Sequence, residues 1–178
     1  GINPFSPEAG NHGAKYQWGA QTLESGRYIS QADDRSNFGS ISGWNSTPKP
    51  DGSWSDTSKT ANDPCPSGYR VPTRAQWEAV IANNNVERVT TDGWISSITN
   101  YSSALYFRNP SGIRTLMLPA AGFRSRTDGT LLNRGYDGLY WSSSVATSNA
   151  ISLNFRSSSV IVLSSNRTSG FSVRCVAE

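Results

Sequence analysis

One stretch carries most of the information about the fold: DPCPSGYRVPTRAQWEAVIANNN, residues 63–85. Thr73 is a preferred helix N-cap, and Gln76 three residues later completes the pattern of a capping box. Pro72, just before the cap, marks the boundary at which the extended chain ends. The stretch therefore predicts a well-defined helix start at this point.

The residues after the cap have the spacing of an amphipathic helix. Trp77, Val80 and Ile81 fall at i, i+3 and i+4, so they form one apolar stripe that can face the core. The asparagines at 83–85 tolerate the left-handed conformation that ends many helices. We therefore predict one clear helix over about residues 74–82.

Beyond this helix the apolar pattern changes to a period of two, which is typical of half-buried strands. The alternation is present in residues 116–118, 152–156 and 171–175. A second, weaker helical or turn segment is predicted near residues 95–104. Residues 1–60 are rich in Gly, Ser, Asp and Asn and favour short strands and long loops. Together these patterns predict an α+β fold with a small twisted antiparallel sheet and long loops.

Length and charge narrow the classes of protein. The 178 residues fit one domain, which we expect to span 1–178. The formal net charge of +3 is too small to indicate nucleic-acid binding. No apolar run reaches the roughly 18 residues of a membrane span, so no membrane insertion is expected. The N-terminus lacks the features of a signal peptide, so an exported protein would be a mature or truncated form. We expect a monomer.

The chain has two cysteines, Cys65 and Cys175. They can form a disulfide in an oxidising compartment, or remain two buried free thiols. A bridge would close about 110 residues, which the chain-entropy model values at roughly 4–5 kcal/mol.

Residues that would carry chemistry are scarce. His12, the one histidine, lies in a Gly/Asn-rich stretch and is predicted to be a solvated loop residue. No Ser/His/Asp set, zinc-ligand spacing, phosphate loop or calcium loop can be assembled. We therefore expect no enzyme activity, no cofactor and no metal.

Several motifs occur in a characteristic order. They are YQWG (16–19), DPCPSGYRVPT leading into QW (63–77), LPAAGFR (118–124), DG (128–129), GLYWSSS (138–144) and GFSVRCV (170–176). In this order the chain resembles the bacterial FISUMP-type major paralogous domain family of secreted, lipid-anchored and pilus-tip surface proteins. That family looks like a branch of the C-type-lectin fold that also includes formylglycine-generating enzymes.

The resemblance implies a C-type-lectin-like fold in which Cys65, at the helix entry, lies near Cys175 on the last strand. It does not transfer the enzymes' chemistry, because these two cysteines occupy the family's structural positions. Calcium-dependent sugar binding is not implied either. The places where lectins carry calcium motifs read Trp44-Asn45-Ser46 and Trp141-Ser142-Ser143 here.

The tail, about residues 134–176, also resembles the variable region of diversity-generating retroelement target proteins. Error-prone reverse transcription at template adenines turns their AAC codons into NNC codons, which encode no Lys, Glu, Gln, Met or Trp. Residues 134–174 contain no Lys, Glu, Gln or Met, whereas residues 1–133 contain twelve. That rate would place about four in the tail, so their absence suggests diversification, although a Ser-rich β segment can lack them by chance.

The resemblance separates fixed from variable positions in the tail. Tyr140, Trp141, Phe155, Phe171 and Val173 are expected to pack the core, and Ser142 and Ser143 to satisfy backbone groups. The candidate ligand-binding positions are Tyr136, Asp137, Leu139, Val145, Thr147, Ile151, Ser152, Arg156, Ser159, Ile161, Leu163 and Ser165.

Strand parity makes predictions about some of these positions. Ser152 and Arg156 have the outward parity of their strand, whereas Ile151 shares the parity of the inward Leu153. Ile161 and Leu163 share one parity and are expected to form an exposed apolar patch. The alternative is that they lie in the core and Val160 and Val162 face out.

These observations predict a protein that binds an unknown protein or glycan ligand through a hypervariable patch, as an adhesin or a pilus-tip or lipoprotein module. The expected location is extracellular, at a bacterial cell surface. The alternatives are an adhesin domain without diversification, a phage receptor-binding protein on the virion, and a formylglycine-generating-type enzyme.

Overall fold

The computed structural model describes residues 3–178, which form a mostly β, α+β fold. Within this part of the chain there are two α-helices, α1 (Gln31–Ser36) and α2 (Arg74–Asn83), and a short 3-10 turn (Ala9–Asn11). The first strands are β1 (Lys15–Tyr16), β2 (Tyr28–Ile29), β3 (Tyr69–Arg70), β4 (Asn85–Val89), β5 (Ala104–Arg108) and β6 (Arg114–Pro119). The later strands are β7 (Phe123–Arg124), β8 (Leu131–Leu132), β9 (Gly138–Ala146), β10 (Asn149–Phe155), β11 (Val160–Ser165), β12 (Phe171–Ser172) and β13 (Val176–Ala177).

The largest sheet joins the two ends of the chain. Its strand order is β11-β10-β9-β12-β1-β2, and every neighbouring pair is antiparallel except β9 and β12, which are parallel. A second antiparallel sheet has the order β4-β5-β6, and two-stranded sheets pair β3 with β13 and β7 with β8. The long β9–β10–β11 meander therefore ends in β11 at one edge of the main sheet.

Helix α2 confirms the predicted helix and its start. The Gln76 amide donates to the Thr73 hydroxyl (3.1 Å), and the Thr73 amide donates to the Gln76 side-chain oxygen (2.9 Å), which is a complete capping box. The predicted left-handed end is wrong. Asn84 is extended (φ −131°), because the chain runs directly into β4, and its side-chain amide donates to the Val80 carbonyl of the last turn.

Two other segments differ from what the sequence predicted. Helix α1 was not predicted, because its buried residue is Asp34 and no apolar stripe marks it. Residues 95–103 form a loop with a turn at residues 98–99, so the turn alternative of the prediction for 95–104 is confirmed and the helix alternative is wrong; Ala104 already belongs to β5. The Asn100 side chain holds this loop by donating to the carbonyls of Gly93 and Ile95 (2.8 and 2.9 Å). These bonds satisfy carbonyls that have no helix or sheet partner.

The main sheet is covered on both faces near β9. On one face, Tyr140, Leu153 and Phe155 pack with Trp77 of α2 and with strands of the second sheet. On the other face, Trp141 packs with Phe171 (ring centroids 4.2 Å apart) and with the tryptophans of the N-terminal loops, Trp18 and Trp54. Large aromatic side chains thus fill the core despite the low aliphatic content of the chain.

A cluster of charged side chains is buried beside this core. The Asp34 carboxylate receives the Lys15 ammonium (2.5 Å), the Arg124 guanidinium (2.9 Å) and the Arg134 guanidinium (3.1 Å), and all four side chains are at most 1% exposed. Burial alone would raise the pKa of Asp34, but the charges of Lys15 and Arg124 outweigh it and lower the pKa. The carboxylate therefore stays ionised and holds three segments of the chain together.

His12 lies next to this cluster, and the prediction of a solvated residue is wrong. It is 2% exposed, and its ring packs edge-on against Tyr101 with 4.9 Å between centroids. Burial, reinforced by the charges of Lys15 and Arg134, lowers the pKa of His12 to about 3. Its imidazole is therefore neutral in the folded protein at neutral pH.

Cys65 and Cys175 form a disulfide, which confirms the pairing implied by the family resemblance. Their Cα atoms are 5.8 Å apart, and 110 positions separate them in the sequence. The bond lies beside the β3–β13 pair, in which Val176 is opposite Arg70. It connects the entry of α2 to the end of the chain.

Reduction of this disulfide should destabilise the folded protein. We expect the double variant Cys65→Ala/Cys175→Ala to lose about 4 kcal/mol of unfolding free energy, because the unfolded chain regains the entropy of a long open loop. Urea denaturation of both proteins checks this value. A reducing agent should lower the stability of the unmodified protein by a similar amount and leave the double variant unchanged. Equal stabilities for the two proteins would contradict the prediction.

Acidification should destabilise the protein through His12. Its pKa is lower in the folded state than in the unfolded state, so the unfolded chain binds a proton first. Its contribution to stability is complete above about pH 6.5 and falls by up to about 1.4 kcal/mol per pH unit toward pH 3. Urea denaturation at several pH values between about pH 7 and pH 4.5 should show this slope. The control is His12→Phe, in which the slope between about pH 7 and pH 5 should be lost and the slope that remains below that range is due to carboxylates of lowered pKa such as Asp34. An unchanged slope between about pH 7 and pH 5 would contradict the assignment.

Candidate functional site: a groove at the β11 edge

β11 is the edge strand of the main sheet, and β10 is its neighbour. In the antiparallel register, Ile161 is opposite Asn154 and Leu163 is opposite Ser152, so these side chains share one face. Ile161 is 51% exposed and Leu163 is 37% exposed. Val160 and Val162 instead pack against the core that contains α2. The prediction that Ile161 and Leu163 face solvent is confirmed, and the alternative parity is wrong.

A groove of about 430 Å³ runs between this face and the start of β9. We call it the β11 groove. Its lining residues are Phe123, Asn133, Asp137, Gly138, Leu139, Asn154, Phe155, Arg156, Ser159, Ile161 and Leu163. Six of them belong to the twelve candidate positions: Asp137, Leu139, Arg156, Ser159, Ile161 and Leu163.

An ion pair lies in the β11 groove. The Arg156 guanidinium donates to the Asp137 carboxylate at 2.5 Å, and the Asn133 side-chain amide donates to the same carboxylate at 2.7 Å. Asp137 raises the pKa of Arg156 above its usual value. The Arg156 side chain is 54% exposed and also lies over the Tyr136 ring, 5.1 Å from its centroid. Arg156 can therefore offer donors to a ligand while Asp137 fixes its position.

Two further candidate positions lie at the opposite end of the β9–β10 hairpin. Val145 is 43% exposed and borders a separate depression of about 230 Å³ that Asp56 and Thr57 also line. Thr147, in the hairpin loop, is exposed and has a φ of 55°. The candidate positions therefore divide between the groove and the hairpin tip, and do not form one continuous patch.

Four candidate positions are more buried than an exposed contact surface requires. Asp137 (4% exposed) and Leu139 (8%) form the floor of the groove. Ile151 (3%) is buried, in agreement with its inward parity, at a bulge in the β9–β10 pairing. The expectation that Ser152 faces solvent is wrong, since it is fully buried.

The reason for the error at Ser152 is the second covered face of the sheet. Ser152 is opposite Trp141, whose face is covered by the N-terminal loops. Its hydroxyl donates to Asn154 (2.7 Å) and lies 2.9 Å from the hydroxyl of Ser165, which is half-buried. Parity gives the face on which a side chain lies, but not whether that face is covered.

The residues expected to be fixed have structural roles. Tyr140, Trp141, Phe155 and Phe171 are buried, and Val173 is partly buried against them. The indole nitrogens of Trp18 and Trp77 donate to the carbonyls of Ser142 and Trp141 (3.0 and 3.1 Å), which anchors β9 from both faces.

The two serines after Trp141 behave differently. Ser142 donates to the Ile151 carbonyl at 2.8 Å, as expected for a residue that satisfies backbone groups. The same expectation is wrong for Ser143, whose hydroxyl donates to the Asp56 carboxylate at 2.6 Å. Sequence reasoning also missed Phe123, Asn133 and Asn154 as lining residues, because only the tertiary fold brings them to the groove.

The β11 groove offers branched apolar side chains, the amide side chains of Asn133 and Asn154, and one ion pair. Its lining, as the described residues form it, includes no histidine, cysteine or lysine. Among residues 3–178, no group of three or more His, Cys, Asp or Glu side chains is placed to hold a metal ion. In the same part of the chain, neither helix has the length and apolarity to cross a membrane.

Comparison with known proteins gives one family match. The model of a domain of unknown function, DUF8237, matches residues 95–176, a range that contains every residue lining the β11 groove. No curated protein and no solved structure matches the chain.

The burial difference between two isoleucines of the candidate set gives a direct test. Ile151→Ala should lower the unfolding free energy by about 2–5 kcal/mol, because it leaves a cavity in the core. Ile161→Ala should change it by less than about 1 kcal/mol, since that side chain is half exposed. Urea denaturation measures both values. Ile113→Ala, at an exposed position outside the tail (61% exposed), is the matched control for the second variant. Equal losses at Ile151 and Ile161 would contradict the assigned faces.

Proposed function

We propose that the chain is a ligand-recognition domain with a C-type-lectin-like scaffold, and that the β11 groove binds a protein or glycan ligand. One observation carries the proposal: six positions that the family resemblance marks as variable, spread over residues 137–163, line a single groove. Binding sites of this kind combine apolar walls with a few fixed polar groups. The groove has both, in Ile161 and Leu163 and in the Asp137–Arg156 pair.

We further propose that the rim of the groove is diversified. Arg156, Ser159, Ile161 and Leu163 are exposed, so their side chains can be exchanged without opening a cavity in the core. Tyr136 adjoins them through Arg156, and Val145 and Thr147 form a second variable patch at the hairpin tip. Ile151 and Ser152 are excluded from this set by their burial. Such a division places replaceable contacts on a rigid scaffold.

The proposed location is extracellular, at a bacterial cell surface, with a phage virion as the alternative. The disulfide supports it, since such bonds persist in oxidising compartments. Both cysteines are in this bond, which leaves no thiol for an enzyme of the formylglycine-generating type. Recognition is therefore favoured over that activity.

The recognition claim can be tested with one screen and four variants. The protein is screened against arrays of host glycans and bacterial surface proteins. Binding to the strongest hit should fall by about tenfold or more in Ile161→Arg and Leu163→Arg, because a buried contact is replaced by a charge. Ile113→Arg and Leu132→Arg, at exposed apolar positions outside the groove lining, are the matched controls. Equal loss in the control variants, or no loss in the groove variants, would contradict the site.

The diversification claim has an independent test in the genome. A reverse transcriptase gene should lie nearby, with a near-copy of the tail's coding sequence that differs at adenines. Differences should fall at the codons for the rim residues and not at those for Trp141 or Phe155. Absence of both the gene and the near-copy would contradict diversification and leave recognition standing.

A further inference from the structure

Strand β11 is an unprotected edge of the main sheet. Its six residues, Val160–Ser165, pair with β10 on one side only. Among the residues that the structure describes, no hydrogen bond from a loop or side chain reaches the backbone of its other side. Exposed edges are normally protected by charged residues, proline, bulges or very short length, because an open edge can pair with another chain. β11 has no charged residue and no proline.

The other edges of this protein are protected in those ways. The opposite edge of the main sheet is β2, only two residues long. In the second sheet, edge strand β4 carries Glu87 and Arg88, and edge strand β6 begins at Arg114 and contains Pro119. β11 is therefore the exception among the described edge strands of five or more residues.

The register identifies the backbone groups that are free to pair. The Arg156 amide donates to the Ser159 carbonyl (3.0 Å) at the closed end of the β10–β11 hairpin. Hydrogen-bonded and non-hydrogen-bonded positions alternate along an antiparallel pair. The backbone groups of Val160, Val162 and Ser164 therefore point away from β10. They offer three amides and three carbonyls to another strand.

We propose that β11 binds its partner by strand addition, and that the partner is an extended, largely apolar polypeptide segment with a carboxylate near Arg88 and Arg156. This rests on the proposed function and specifies the class of its ligand. An added strand would pair with the free backbone groups and place alternate side chains beside Ile161 and Leu163.

Charge at one end of the edge specifies the carboxylate. Arg88 donates to the Arg156 carbonyl (2.8 Å) where β10 ends, so the Arg88 guanidinium lies near the Val160 end, and the Arg156 guanidinium lines the adjoining groove. Within residues 3–178, Arg156 is paired with a carboxylate, that of Asp137, and Arg88 is in no ion pair. From Gly138 to Ala177 the chain has no Asp or Glu. This end of the edge thus has an excess of positive charge that an acidic side chain would neutralise.

A second copy of this chain fits the edge less well. Two copies paired through β11 would meet along six residues of uncharged strand, and both would bring the same guanidinium groups. Six residue pairs bury well below the roughly 1,200 Å² of a stable interface. A flexible segment can cover the edge and reach into the adjoining groove, because it has no globular body to collide with the protein.

The experiment uses a displayed library of random peptides about ten residues long, enough to span β11. Peptides are selected on the wild-type protein and counter-selected on Ser164→Pro, which removes one free amide of the edge without removing a core side chain. Enriched sequences should alternate apolar residues and carry Asp or Glu toward one end. The ¹⁵N-labelled protein bound to a selected synthetic peptide should show slowed hydrogen exchange at Val160, Val162 and Ser164.

Two matched peptides and two matched variants make the result decisive. N-methylation of the peptide on the amides that face β11 should reduce affinity by about tenfold or more, whereas N-methylation of the alternate amides should not. Ile161→Lys should weaken binding similarly, and Ile113→Lys should not. Ile161→Lys also provides the test if Ser164→Pro fails to fold.

Two outcomes overturn strand addition. The first is that no peptide is enriched on the wild-type protein relative to Ser164→Pro or Ile161→Lys. The second is that enriched peptides bind without protecting the three edge amides and without sensitivity to N-methylation. In the second case binding that still depends on Ile161 and Leu163 leaves the proposed recognition function intact. The proposed recognition function is contradicted instead if the affinity for the selected peptides is unchanged in every variant of the groove.

Discussion

The fold depends on one buried carboxylate. Asp34 lies within the short helix α1, and its carboxylate binds Lys15 from β1, Arg124 from β7 and Arg134 from the loop that leads into β9. The two arginines also donate to carbonyls at the end of α1, including those of Asp34 and Asn37. Cations at that end interact favourably with the helix dipole. A neutral residue at position 34 would leave three cations buried without a counter-charge, which is strongly destabilising.

This constraint determines where the protein can vary. The four charged residues fix the N-terminal segment against the loop before β9, and Trp18 of that segment then holds β9 by donating to the Ser142 carbonyl. β10 follows β9 with a covered face on either side. Within the meander, exposed side chains are found on one face of β11 and at the tip of the β9–β10 hairpin, where Val145 is exposed. In this part of the chain, side chains can be exchanged without opening the core on β11, on the groove rim and at the hairpin tip.

Much of the architecture could be predicted from local patterns, because those patterns act over a few residues. The capping box of Thr73 and Gln76 specified the start of α2, and the alternation in residues 160–163 specified which side chains of β11 share a face. Which of the two faces is exposed is decided by the structure. The family resemblance added the pairing of Cys65 with Cys175. Each of these inferences depends on chemistry that is visible within a short window or on a recurrent set of motifs.

The rest could not be predicted because it depends on distant contacts. Lysine and arginine usually lie on the surface of a protein. Nothing in the sequence near Lys15, Arg124 or Arg134 shows that all three bind one carboxylate. Ser152 has outward parity, yet its face is covered by N-terminal loops that are distant in the sequence. The burial of His12 could not be predicted either, because it also depends on residues distant in the sequence, such as Tyr101. When irregular loops cover one face of a sheet, small polar residues can be buried on that face. The alternation of apolar and polar residues along a strand then does not show that both faces are covered.

The disulfide has a mechanical consequence when the chain is pulled from its two ends. A pulling force applied through the two ends of the chain passes across the Cys65–Cys175 bond, so residues 66–174 cannot be drawn out while that bond is intact. The entire β11 groove lies within this covalent loop. The segment before Cys65 can lengthen by at most about 3.3–3.6 Å per residue as it unravels. The loop would thus be protected from end-to-end extension under tension, and the N-terminal segment would yield first.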